Sequence, residues 1–146
     1  MSPTIKIDDI AAIDVHVHLE HEAPATAADE AARKYFGQGT AGGGANALAD
    51  YYRSRRMACV VFTVEEHLTG RPHLTNDAIL EFARANPDIA LPFISVDPTR
   101  GAAAVAEARR LVATGAVRGL KLHPPLQQFF ANDRLAYPLY EVFAEA

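Results

Sequence analysis

Ile13-Asp14-Val15-His16-Val17-His18-Leu19 alternates apolar and polar residues without a break, which is the period of a β-strand. Successive strand side chains point to opposite faces. Ile13, Val15, Val17 and Leu19 are therefore expected on one face, and Asp14, His16 and His18 on the other. Imidazoles two residues apart along a strand stand roughly 6–7 Å apart, close enough for their rings to converge on one ion. Histidine is the commonest metal ligand and works through its neutral ring nitrogen. An acid one step behind can steer a ring or bind a metal itself. A half-exposed edge strand would show the same alternation. Its wet face would ordinarily carry Lys, Glu, Thr or Ser, whereas this one carries only Asp and His.

The surrounding chain sets the frame for that strand. Its 146 residues fit one domain with a core of useful size. A hydrophobic share of 49% with 22% charged residues is ordinary for a soluble globular protein. The net charge is −4 and the arginines are scattered, so no electrostatic nucleic-acid footprint is present. Apolar runs fall far short of a membrane span, and Met1-Ser2-Pro3-Thr4-Ile5-Lys6 lacks the apolar core of a signal peptide. A lone cysteine, Cys59, excludes an intrachain disulfide and fits a reducing cytoplasm. Its apolar setting, Ala58-Cys59-Val60-Val61-Phe62, reads as core.

After the first strand, residues 20–46 are rich in Ala, Gly and small polar residues and read as a loop or lid insertion. A helix is expected over Asn46–Arg56, then a buried strand over Ala58–Thr63. Thr75-Asn76-Asp77 supplies a helix N-cap and an early acid. Ile79, Phe82 and Ala83 then recur at helical spacing until Asn86-Pro87 stops the helix. Ile89–Val96 reads as a third strand, closed by Asp97-Pro98, where Asp97 caps the next helix. Gly101–Thr114 is expected to be helical, with Val105, Ala108, Leu111 and Val112 on one face. Val117–Leu122 reads as a fourth strand before His123-Pro124-Pro125, and Leu135–Ala146 as a last helix with Leu139, Val142 and Phe143 facing inward.

Strand and helix alternate four times, which argues for right-handed βαβ units around a parallel sheet. No glycine-rich phosphate loop follows the first strand, which disfavours a doubly wound dinucleotide fold. A (β/α)8 barrel places its chemistry at the C-terminal ends of strands, where His16, His18, Asp97 and His123 all fall. A full barrel needs eight units in typically about 250 residues. The expected architecture is therefore α/β, the N-terminal half of a (β/α)8 TIM barrel, with 1–146 forming an incomplete barrel domain. Its first and fourth strands would have unpaired edges.

The chain resembles the N-terminal half of an amidohydrolase-related protein. More narrowly, it is similar to the branch of aminocarboxymuconate-semialdehyde and γ-resorcylate decarboxylases and uncharacterised metal-dependent hydrolases. The landmarks are Asp14-Val15-His16-Val17-His18, Gly70-Arg71-Pro72 with Asn76-Asp77, and Asn86-Pro87-Asp88. They continue with Pro92-Phe93-Ile94-Ser95-Val96-Asp97-Pro98, Gly119-Leu120-Lys121-Leu122-His123-Pro124 and Tyr137-Pro138-Leu139-Tyr140-Glu141. The resemblance implies a divalent metal, zinc or else manganese, held by His16 and His18; Asp14 reads as orienting a ligand histidine rather than binding the metal directly. It places the remaining ligands, and the histidine that moves protons, on later strands beyond Ala146. Two imidazoles do not close a zinc site, so these residues alone are expected to bind metal weakly and catalyse nothing.

For the longer protein, the resemblance implies hydrolysis of an amide, ester or lactone, or non-oxidative decarboxylation of a small carboxylic acid. It implies a small-molecule substrate, no nucleic-acid or membrane partner, and a possible homo-oligomer at full length. Lys121 ends the fourth strand, where binuclear relatives carry a carboxylated lysine; this branch is generally mononuclear, and Lys121 reads as lining the interior. His123 is expected as a supporting or substrate-contacting group, or as a loop histidine braced by prolines. His21, His67 and His73 read as surface or lid residues. Two other readings stand beside this one. A histidinol-phosphatase-type or TatD-like metal phosphoesterase also begins with a His-x-His strand. A non-catalytic half-barrel, as relic or interaction module, is the other.

Overall fold

The computed structural model describes residues 5–19, 44–70 and 73–146. After a short 3-10 turn at Ile7–Asp9 the chain runs through β1 (Ala12–His18), α1 (Gly44–Ser54), β2 (Met57–Phe62), α2 (Asn76–Ala85) and β3 (Ala90–Ile94). A second 3-10 turn, Pro98–Arg100, leads into α3 (Ala102–Val112), β4 (Gly119–Leu120), α4 (Pro124–Gln127) and α5 (Tyr137–Ala144). The four strands form one sheet in the order β1-β2-β3-β4, and every neighbouring pair is parallel. Sequential order, parallel pairing and helical crossovers make this half of a (β/α)8 barrel.

Hydrophobic burial divides the molecule into two layers. On the helical side, Val17, Leu19, Cys59 and Val61 of the sheet meet Ala49 and Tyr52 of α1 and Ile79, Phe82 and Ala83 of α2. Further along, Ile94 and Val96 meet Ala104, Ala108 and Leu111 of α3 and Leu139 and Val142 of α5. Alternation then turns Val60, Phe62 and Val64 to the opposite side, where they pack with Leu91, Phe93 and Leu126. That side is the interior of a barrel.

Local chemistry explains where the elements start. The Thr75 hydroxyl accepts from the Ala78 N–H and caps α2, and Asn86 ends it. Asp97 accepts from the Thr99 N–H at 2.9 Å and its hydroxyl at 2.7 Å, so it caps the Pro98–Arg100 turn. Cys59 is fully buried, and the inward faces expected for α2, α3 and α5 pack on the core, with Val105, Val112 and Phe143 half-buried.

Several expectations need correcting. α1 begins at Gly44, so the last residues of the expected insertion at 20–46 are helical; the rest of it, with His21, lies outside the described residues. The fourth strand spans two residues rather than 117–122. Arg118 N–H and Lys121 N–H continue its bonding to the Pro92 and Ile94 carbonyls at 2.9 and 2.8 Å, but no strand among the described residues pairs its other edge. A one-sided ladder supports little regular strand. A short helix, α4, comes after His123 where the sequence showed only a proline pair.

Candidate metal centre

The leading strand does not keep its alternation. Asp14 pairs with Cys59 of β2, but the next pairing is Val17 with Val61. Three steps on β1 therefore match two on β2, which is a β-bulge. Its cause is chemical. Asp14 Oδ1 accepts from the His16 backbone N–H at 3.0 Å, a local side-chain bond that competes with the sheet ladder. Asp14 Oδ2 accepts from the Tyr52 hydroxyl of α1 at 2.9 Å. The carboxylate thus lies on the helical side, against the expectation that it shares a face with both histidines. Ile13 and Val15, expected to share a face with Val17 and Leu19, are 46% and 71% exposed while those two are buried. Asp14 meets His16 through the main chain, not through its ring.

His16, within the bulge, and His18, beyond it, both turn their imidazoles to the barrel interior. Both rings stand edge-on to Phe62, with centroids 5.2 Å away for His16 and 4.8 Å for His18. Their Nε2 atoms are 3.1 Å apart. Two nitrogens at roughly 2.0–2.1 Å from one tetrahedral zinc stand about 3.3 Å from each other, so the observed spacing suits a shared ion. Both rings keep an exposed edge, yet desolvation by the surrounding protein first, then the charges of His16, Lys121 and His123, lower the His18 pKa to about 4. His18 is therefore neutral at physiological pH, the form that ligates a metal.

Lys121 joins the same face. Its Nζ sits 4.4 Å from the Phe62 ring centroid, and burial lowers its pKa. His123 caps α4, with Nδ1 accepting from the Leu126 N–H at 3.4 Å. His67 and His73 are exposed. No group of three His, Cys, Asp or Glu residues suited to holding a metal occurs among the described residues. The histidine pair can supply two donors, and a third must come from elsewhere.

Two structural contributors escaped the sequence. Gln127 is 2% exposed; its amide donates to the Glu65 and Val96 carbonyls at 2.9 and 3.2 Å and accepts from the His123 N–H at 2.7 Å. It ties together the loops leaving β2, β3 and β4. Glu65 accepts from the Asp97 N–H at 2.7 Å and pairs with Arg100, which also holds Glu107 at 2.9 Å. A glutamine after two prolines carries no pattern that marks burial. Phe62 was legible in principle, since strand parity puts it on the interior side.

The profile described as amidohydrolase matches residues 13–146. No curated protein and no solved structure matches the chain. The matched span opens at Ile13, the second residue of the histidine strand, and takes in all four strand–helix units, whose parallel order is that of the family's barrel. On this match over most of its length, the chain belongs to the amidohydrolase family.

Proposed function

We propose that this chain carries the N-terminal part of the catalytic barrel of a metal-dependent hydrolase or decarboxylase, with His16 and His18 as two of the metal's ligands. Metal dependence is general in the family, and the convergence of the two Nε2 atoms to 3.1 Å is the observation that carries the assignment. Zinc suits a two-imidazole donor set best, with manganese the alternative. A divalent ion there supplies Lewis acidity toward a carbonyl or carboxylate oxygen.

The chain's own residues prepare that position. Phe62 excludes water from one side of both rings. Asp14 fixes the His16 main chain, and Tyr52 fixes Asp14. The reaction is hydrolysis of a small amide, ester or lactone, or loss of carbon dioxide from a small carboxylic acid. The single buried cysteine fits a cytoplasmic location. No described helix is long and apolar enough to cross a membrane.

Zinc titration followed by histidine side-chain NMR tests the assignment. The His16 and His18 rings should respond together, with one ion per chain, and His16→Ala with His18→Ala should abolish the response. Zinc uptake unchanged in the double variant would overturn it.

A further inference from the structure

Resting on the reading of the sheet's interior side as a catalytic pocket, we propose that Lys121 anchors a carboxylate of the substrate beside the histidine pair. Phe62 organises the arrangement. The rings of His16 and His18 meet it edge-on, and the Lys121 ammonium lies over its ring at 4.4 Å. The three side chains therefore surround one aromatic floor. The lysine is positioned rather than free to swing at its root, because its N–H donates to the Ile94 carbonyl at 2.8 Å.

Among the described residues, the charge balance of this face favours an anion. Among the described residues, no carboxylate pairs with Lys121. The acids nearby in the fold are committed. Glu65 holds Arg100 and the Asp97 N–H. Asp97 takes both donors of Thr99, and Glu66 accepts from Thr69. Asp14 faces Tyr52 on the helical side. A partly buried ammonium without a counter-charge is costly unless a ligand supplies one. Burial already lowers its proton affinity, and the aromatic face offsets only part of the cost, since such a contact stabilises a cation modestly.

The class of anion is set by the donors. A lysine offers one compact positive charge. Among the described residues it is joined by neither an arginine fork nor a cluster of backbone N–H groups of the kind that cradle phosphate. A monoanionic carboxylate matches that provision. Seated on Lys121, it would share the Phe62 floor with the histidines, leaving the rest of a small acid to extend toward the imidazole pair. Lys121 is then a specificity residue for acids over their neutral analogues.

The test uses the full 146-residue chain labelled at the lysine ε-carbons, with Lys6 and Lys34 as internal controls. Benzoate, its neutral isostere benzamide and inorganic phosphate are each titrated into metal-free and zinc-loaded protein. Benzoate should shift the Lys121 signal saturably, and benzamide should leave it in place. Lys121→Met should weaken benzoate at least tenfold while the histidine rings still respond to zinc; Lys121→Arg should keep most of the benzoate affinity. Equal binding of benzoate and benzamide, unchanged benzoate affinity in Lys121→Met, or phosphate binding as tight as benzoate would each overturn the proposal. So would a carbamate carbon on Lys121 after exposure to labelled bicarbonate. The ligand comparisons use the unaltered chain and so do not depend on a variant folding. The metal-free arm separates the two readings: carboxylate selectivity there survives a failure of zinc to engage His16 and His18.

Discussion

Cys59 is sealed between the sheet and α1, and burial, reinforced by the negative charge of Asp14, pushes its thiol from 9.0 up to about 12. An unfolded chain loses that proton near pH 9, whereas the folded chain keeps it. The native state therefore binds the extra proton, and stability present below pH 9 is lost as pH rises toward 12, at about 1.4 kcal/mol per pH unit. Urea unfolding between pH 9 and 11 should show this slope, and Cys59→Ala should reduce it by about that amount. Tyr52 has a related role. Burial and its bond to Asp14 raise the phenol's pKa, and Tyr52→Phe leaves one carboxylate oxygen without its donor. The expected cost is about 1.5–3 kcal/mol in chemical denaturation. None of this is visible in the alternating segment, because periodicity reports which side a residue prefers and not which hydrogen bond outcompetes the ladder.

Elements governed by local chemistry are legible in the sequence, and those governed by partners are not. α2 announces itself through Thr75, the spacing of Ile79, Phe82 and Ala83, and Asn86, all of which act within a few residues. The expected strand over 117–122 overstates β4, because a strand's length depends on its neighbour strands, which a local segment cannot report. Its start is also constrained by shape. A Cβ at Gly119 would lie 2.4 Å from the Phe93 ring, so Gly119→Ala must displace that ring from its packing with Val60, Phe62 and Val64. A loss of about 1–3 kcal/mol is expected from the urea midpoint. Gln127 is the opposite case, a polar residue whose burial is purely tertiary. Gln127→Leu strands two carbonyls and one N–H at the strand ends. It should cost about 3 kcal/mol or more, with faster amide exchange at Val96 and His123.

For the molecule as a whole, the four-fold alternation of strand and helix is enough to read a parallel sheet with sequential order. The candidate site is half legible: the spacing of His16 and His18 allowed the convergence of their rings, while Phe62 and the departure of Asp14 to the other side depend on the folded strand. β1 pairs only with β2 among the described residues, and Val15 at that edge is 71% exposed. An apolar open edge invites pairing with another chain. Light scattering should therefore show concentration-dependent association, and Val15→Lys should suppress it without shifting the unfolding midpoint by more than about 0.5 kcal/mol.

The bulge in β1 divides one strand between two constituencies. Upstream, Asp14 answers to α1 through Tyr52; downstream, the imidazoles answer to the interior through Phe62. The hinge between them is a single contact from a carboxylate to the His16 N–H. Whatever moves α1 relative to the sheet therefore acts on the spacing of the two imidazoles. Metal affinity in this architecture should accordingly be adjustable from the outside of the barrel, by substitutions along α1 that never enter the pocket.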